Sequence, residues 1–160
     1  MERVNRVLAN EKFQNSKQKI EAWEKDRIFC KHDMVHFLDV ARIAQILNLK
    51  EALGLPEELI YAAALLHDIG RHVQYADGTP HERASMPIAK EILIECGFDE
   101  KETDVIVKAI GNHRTAEIKE NRDLNGILYR ADKASRACFA CKVEPECNWK
   151  NDKKNKALIL

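Results

Sequence analysis

Leu65-Leu66-His67-Asp68-Ile69-Gly70 closes an apolar run that begins at Leu59, and the run is where the reading of this chain starts. An imidazole and a carboxylate placed side by side at the end of so apolar a segment must have partners, because neither group leaves water without one. Two other places supply them: a lone His36 upstream, and Asp132 in the pair Ala131-Asp132 far downstream. Together they make two imidazoles and two carboxylates, the donor set of a catalytic divalent ion. The dipeptide His67-Asp68 is weak evidence by itself, since the same pair stands as a decoy at His32-Asp33. The constellation carries the reading.

Length and composition set the frame around it. A chain of 160 residues with 45% hydrophobic residues is enough for one domain with a core that needs no disulfides. Lys and Arg number 26 and so do Asp and Glu, which argues against duplex nucleic acid or an acidic membrane as partner and makes any anion site local. The longest fully apolar run, Leu59 to Leu66, is far short of the roughly 20 residues that cross a bilayer, and Met1-Glu2-Arg3-Val4-Asn5-Arg6 has no apolar signal segment. The expectation is a soluble cytoplasmic protein without membrane contact. Its five cysteines, an odd number, are expected to be reduced thiols.

Helical periodicity runs through almost every long segment, and the expected fold class is all-α, a single helical bundle around the metal site. Phe37, Val40, Ala41, Ala44 and Leu47 recur at three- and four-residue steps from His36 to Leu49, with His36 beside the stripe. Pro56 opens a helix reaching about Ile69, with Glu57 and Glu58 at its positive end and Gly70 as its stop. Tyr75 to Pro80 reads as a loop, Arg83 to Glu95 as a helix in which Pro87 either sits in the first turns or makes a bend, and Gly97 as its end. Asp99 with Glu102 forms a capping box ahead of a stripe of Val105, Ile106, Ala109 and Ile110. A last helix is expected from about Asn121 to Ala140, with Leu124, Ile127, Leu128 and Ala131 inward. The organisation expected is an N-terminal helical extension over 1–30, the metal-bearing unit over 31–136, and a Cys-containing tail over 137–160 belonging to the same domain.

His36 and Asp132 belong to different helices from His67 and Asp68, so the four converge only in a folded site. Two imidazoles and two carboxylates suit manganese, iron, cobalt, nickel or zinc rather than calcium. Fewer protein ligands than coordination positions leaves room for water and substrate, and a water so held becomes a nucleophile near neutral pH. The expected reaction is hydrolysis.

These residues resemble the HD-domain superfamily of metal-dependent phosphohydrolases over about Lys31 to Arg136. The resemblance rests on His36-Phe37-Leu38-Asp39-Val40-Ala41, Ala64 to Gly70, His81 with Ser85 and Ala89, Ala109-Ile110-Gly111-Asn112-His113, and Tyr129-Arg130-Ala131-Asp132-Lys133. It implies an all-helical fold of five or more helices, with His36, His67, Asp68 and Asp132 as primary metal ligands. His81 and His113 stand where one branch of the family adds two histidines and its central carboxylate, here Asp68, bridges two ions. Another branch has similar histidines and one ion. The two-ion reading is favoured, with Asp68 as the central catalytic residue and the one-ion alternative left open.

Arg71, Arg114 and Lys133, each directly after a ligand segment, are the candidate contacts to a phosphate substrate. His32 and His72 are read as non-ligands that could still line the pocket. Cys138, Cys141 and Cys147 could belong to a second metal site, with Cys30 or Cys96 as a fourth ligand, or Cys138 and Cys141 could simply pack on one helical face. Asn151 to Lys156 reads as a solvated stretch. The favoured function is a phosphohydrolase acting on a nucleotide or dinucleotide polyphosphate. The rival is a regulatory module that keeps the metal and senses a nucleotide; an HD-type nuclease ranks third, since no basic stripe is present.

Overall fold

Apolar residues on every face commit the Leu59 run to the interior, and the other helices wrap around it. In the computed structural model, which describes residues 1–159, the fold consists of α1 (Glu2–Ala9), α2 (Glu11–Trp23), α3 (Met34–Lys50), α4 (Glu57–Leu66), α5 (Arg71–Asp77), α6 (His81–Glu95), α7 (Glu100–Asn112) and α8 (Leu124–Ala134). No strand occurs among the described residues, and none of their helices is long and apolar enough to cross a membrane. The all-α expectation holds.

Helix α4 is the axis. Leu59 to Leu66 is buried except for Tyr61, and α1, α3, α6, α7 and α8 all touch the helix. The expected stripe of α3 faces it, with Phe37, Val40, Ala41, Ala44 and Leu47 buried. The N-terminal helices share this core, through Val4, Val7 and Phe13. Arg3 ties them down: its Nε is 2.7 Å from Glu58 Oε2, one Nη is 2.5 Å from Glu102 Oε2, and the guanidinium lies over the Phe98 ring.

Local chemistry sets the helix ends. The capping box at Asp99 and Glu102 is formed in both directions, at 2.9 and 3.0 Å. Gly97, at φ +87, closes α6 while the Phe98 N–H donates to Leu93 O. Pro87 sits in the second turn of a continuous α6. Asp33, half of the decoy dipeptide, caps α3 by accepting from the His36 N–H at 3.0 Å.

Several boundaries differ from the periodicity reading. Helix α4 stops at Leu66 rather than Ile69, so His67 to Gly70 form a tight turn, and Tyr75 to Asp77 belong to α5 rather than to a loop. Helix α6 begins at His81, two residues before the expected Arg83. Helix α8 spans only Leu124–Ala134, and beyond it the chain makes short 3-10 turns at Cys138–Ala140, Glu144–Glu146 and Asn151–Lys153. Periodicity overran here because Cys138, Phe139 and Ala140 are apolar without being buried. Val105 is 44% exposed rather than buried, since Ile106, Ala109 and Ile110 already fill that face of α7. The stretch 151–156 is only partly solvated: the Lys154 side chain is 6% exposed, and the Asn155 amide donates to Lys133 O in the last turn of α8 and to Arg136 O just past it, both at 2.8 Å.

Gly70 has a reason other than the one read from sequence. At φ −83 it adopts no left-handed cap; instead a Cβ there would stand 2.4 Å from Ser85 N and 2.7 Å from Ala84 C, while the Gly70 N–H donates to Ser85 Oγ at 2.8 Å. Its missing side chain lets α6 lie against the His67 to Gly70 turn. Gly70→Ala is expected to cost about 1–3 kcal/mol of overpacking in urea unfolding and to loosen metal binding. Gly54→Ala, at φ +68 with open space around it, should cost about 1–2 kcal/mol from backbone strain and leave metal binding intact. Equal metal affinity in the two variants would contradict this.

Candidate metal centre

Asp68 is 1% exposed in the turn after α4, and five imidazoles surround its carboxylate. On the Oδ2 side, His67 Nε2 lies at 3.4 Å and His36 Nε2, from the first turn of α3, at 3.6 Å. Both rings also face Asp132 Oδ1 of α8, at 3.8 and 3.7 Å. On the Oδ1 side, His81 Nε2 at the start of α6 lies at 3.0 Å and His113 Nε2, just after α7, at 3.5 Å, with 3.2 Å between the two nitrogens. The donor atoms thus fall into two groups sharing one carboxylate: His36, His67 and Asp68, and Asp68, His81 and His113.

Every imidazole is turned so that Nε2 faces the carboxylate and Nδ1 is held from behind. His67 Nδ1 donates to Ala64 O at 2.7 Å, and His113 Nδ1 to Ile110 O at 2.6 Å. His81 Nδ1 is 2.7 Å from Gln74 Oε1. His36 Nδ1 is 3.3 Å from Ser135 Oγ, whose own proton goes to Asp132 O. A backbone carbonyl can only accept, so the neutral rings of His67 and His113 carry their proton on Nδ1 and present a lone pair at Nε2. Lone pairs and carboxylate oxygens packed this closely repel one another unless a cation lies between them.

The hydrogen-bond inventory points the same way. Among the described residues, His36 Nε2, His67 Nε2, Asp68 Oδ1 and Asp132 Oδ1 are buried without a hydrogen-bond partner. Each such orphan costs about 1–3 kcal/mol in the absence of a ligand. Asp132 Oδ2 is engaged by Lys133 Nζ at 2.5 Å, which leaves Oδ1 as the free oxygen. The nitrogen and carboxylate donors fit a borderline divalent ion.

Charge is set to match. Burial works to raise the Asp68 carboxyl pKa, but the Arg71 guanidinium and the neighbouring imidazoles outweigh it and hold the group well below the usual carboxylate range. Asp132 is likewise held low against burial by Lys133, His67 and Arg136. Burial pushes the His81 and His32 imidazoles below their ordinary value, which favours the neutral ring that a metal needs.

The cluster opens into a cleft of about 180 Å³ walled by Arg27, His32, Arg71, Gln74, His81, His113, Arg114, Asp132, Lys133, Arg136 and Trp149. Arg71 Nε is 3.3 Å from Asp68 Oδ1. Arg136 reaches to 3.6 Å from Asp132 Oδ1, and its guanidinium lies 4.2 Å over the Trp149 ring. Of the three expected substrate contacts, Arg71 and Lys133 lie close against the ligands, while Arg114 is 52% exposed at the rim, 3.4 Å from Glu82.

A family model described as HD domain matches residues 34–137. The chain belongs to the HD-domain family. A relative from Clostridium beijerinckii, described as an uncharacterized protein, is 47% identical over 155 residues and covers 97% of each chain. A crystal structure of a "predicted HD superfamily hydrolase" from an uncultured Thermotogales bacterium superposes with a TM-score of 0.65 at 25% identity, covering 91% of this chain and 80% of that one.

This HD domain brings together all six histidines and aspartates singled out in its sequence, and adds residues that the sequence reading passed over. His32, read as a non-ligand that could line the pocket, does line the cleft: it is 2% exposed, with Nε2 3.6 Å from Asp68 Oδ2 and Nδ1 2.5 Å from Glu24 Oε1. Glu24 also accepts from Tyr75 Oη and from the His32 N–H; these contacts outweigh its burial and set its pKa at about 2. The signal was present: His32 and His36 lie one helical turn apart, and so do Asp132 and Arg136. Glu24, Gln74 and Ser135 gave none, because no spacing ties them to a ligand. His72 stays out of the donor set, with its Nδ1 donating to Ile69 O at 3.0 Å.

Since His32 reaches only one oxygen of Asp68 from the cleft side, His32→Ala is expected to keep the bound metal, whereas His67→Ala loses it. Elemental analysis of the purified variants checks this, and equal loss in both would contradict it. Dialysis against a chelator should lower the melting temperature, and restoring manganese at about 100 times its Kd should return about 2.7 kcal/mol of stability.

Proposed function

We propose that this chain is a metal-dependent phosphohydrolase with two divalent ions bridged by Asp68, acting on a phosphate ester or anhydride of a nucleotide or dinucleotide polyphosphate. The observation that carries the reading is the division of the Asp68 carboxylate, with Oδ2 towards His36 and His67 and Oδ1 towards His81 and His113. His36, His67, Asp68 and Asp132 would hold one ion, and Asp68, His81 and His113 the other. Bound there, the ions supply a Lewis acid for a phosphoryl oxygen and a water acidic enough to attack phosphorus at neutral pH.

The chain's own residues do the rest. Arg71 and Lys133, against the ligands, are placed to take the phosphoryl oxygens of the substrate, and Arg27, Arg114 and Arg136 extend a positive wall suited to further phosphates. A cation wall of this kind favours a substrate carrying more than one phosphate over a neutral ester. Trp149, held by Arg136 at the cleft, offers an aromatic face to a nucleobase. His32, oriented by Glu24, lies where it can meet a substrate oxygen beside Asp68. The small cleft and balanced net charge speak against a nuclease working on long duplexes.

The test is turnover of a panel of mono-, di- and triphosphate nucleotides and dinucleoside polyphosphates with manganese, iron, cobalt, nickel or zinc. Asp68→Ala should abolish both turnover and metal content while leaving far-ultraviolet helicity intact; retained activity would refute the reading. His113→Ala should lower the metal content from about two ions to about one, and an unchanged ratio would favour the single-ion site. Arg71→Gln should lower kcat/KM by about 10²-fold with metal retained. Trp149→Ala should raise KM for a nucleotide about fivefold, on the order of 1 kcal/mol of stacking, and leave KM for inorganic pyrophosphate unchanged.

A further inference from the structure

We propose that Cys30, Cys138, Cys141 and Cys147 form a four-thiolate site for an iron–sulfur cluster that fastens the C-terminal segment to the loop before α3. The sequence left the fourth ligand open between Cys30 and Cys96. Cys96 is buried in the main core at the end of α6, whereas Cys30 lines one cavity with the three tail cysteines, Glu144 and Lys154. All four are free thiols on two segments more than a hundred residues apart.

The tail supplies an independent reason for a fastening. From 133 to 159 no residue is buried, and Phe139 is 52% exposed, so this segment has no core of its own. Fixing each residue's backbone costs conformational entropy, and a segment without buried apolar surface needs another source of order. Its successive turns wind the three thiols around one side of the cavity: the Cys141 N–H donates to Cys138 O, the Glu144 N–H to Cys141 O, and the Cys147 N–H to Glu144 O. Cys30 lines the same cavity from the loop before α3, with its carbonyl fixed by Arg27 Nε at 2.8 Å.

The spacing favours a cluster over a single ion. The cavity is about 260 Å³, several times the ~30 Å³ that one water occupies in the liquid. Among the described residues no three thiol sulfurs come within 4.8 Å of one another, whereas a zinc ion about 2.3 Å from each of four sulfurs would draw them to about 3.8 Å apart. A polynuclear cluster spreads its four thiolates around a wider body. Loading replaces four S–H bonds by four S–Fe bonds: two ferric ions, two ferrous ions and four sulfides, supplied as inorganic species, join the four thiols to give a [4Fe–4S]2+ cluster and four protons released to solvent, so the ferric iron supplied leaves no electrons to be removed. The Lys154 ammonium, held by Glu144 Oε1 at 2.8 Å, lies on the cavity wall where it offsets the thiolate charge. Arg136 and Trp149 line both the neighbouring cysteine cavity and the metal cleft, so the fastening also sets one wall of that cleft.

The full chain purified without oxygen and reconstituted with equal amounts of ferrous and ferric iron and with sulfide tests this, by acid-labile sulfide, elemental content and visible charge-transfer absorption. Wild type, Cys96→Ser and Asp68→Ala should all carry labile sulfide, with Asp68→Ala separating this site from the histidine centre. Cys30→Ser and Cys141→Ser should fall to background sulfide, become open to proteolysis beyond Ala134, and keep the metal of the histidine centre as proof of folding. Wild type without labile sulfide, or Cys30→Ser retaining it, would overturn the proposal. One zinc per chain on the same four thiols with no sulfide would overturn the cluster.

Discussion

The Asp68 carboxylate, sealed from water, is the constraint on which the rest of the molecule depends. A buried carboxylate without compensation would unfold the turn that carries it or take up a proton. Here the compensation comes from Arg71 of α5 and from imidazoles at the ends of α3, α4, α6 and α7, and each of those helices also packs on another. Packing and site are therefore one problem: the apolar α4 is the axis because it must deliver His67 and Asp68 to the point where the other helices end. Gly70 belongs to the same solution, since any side chain there would push α6, and His81 with it, away from the carboxylate.

The arrangement behind the ligands is as deliberate as the ligands themselves. The five imidazoles are anchored at Nδ1 by four kinds of acceptor: backbone carbonyls behind His67 and His113, an amide oxygen behind His81, a hydroxyl behind His36 and a carboxylate behind His32. Anchoring of this kind fixes ring orientation and tautomer before a metal arrives, so less freedom is lost on binding. Glu24, which caps the end of α2, and Tyr75 of α5 extend the chain of contacts from His32 and join the N-terminal helices to the chemistry.

What was legible in the sequence follows from how local each determinant is. The α3 stripe, the Asp99 capping box and the buried α4 run are written in neighbouring residues, and the structure repeats them. The six histidines and aspartates were legible because their types are rare in apolar surroundings and their order along the chain matches the family. The end of α8 was not, because Cys138 to Ala140 carry apolar side chains that pack on no core. Glu24 and Ser135 were illegible for another reason: each acts on an imidazole from a different part of the chain, and only the folded backbone brings the two together. His32 lies between these cases: its place one turn before His36 makes it a pocket-lining residue rather than a ligand, and only the fold shows how near Asp68 it comes.

One measurement bears on the central claim most directly: an anomalous-scattering map of crystals grown with manganese. The account predicts two peaks, one on each side of the Asp68 carboxylate, the first within bonding distance of His36, His67 and Asp132 and the second of His81 and His113. A map in which Asp68 bonds no ion, or in which the metal lies elsewhere on the protein, would contradict it.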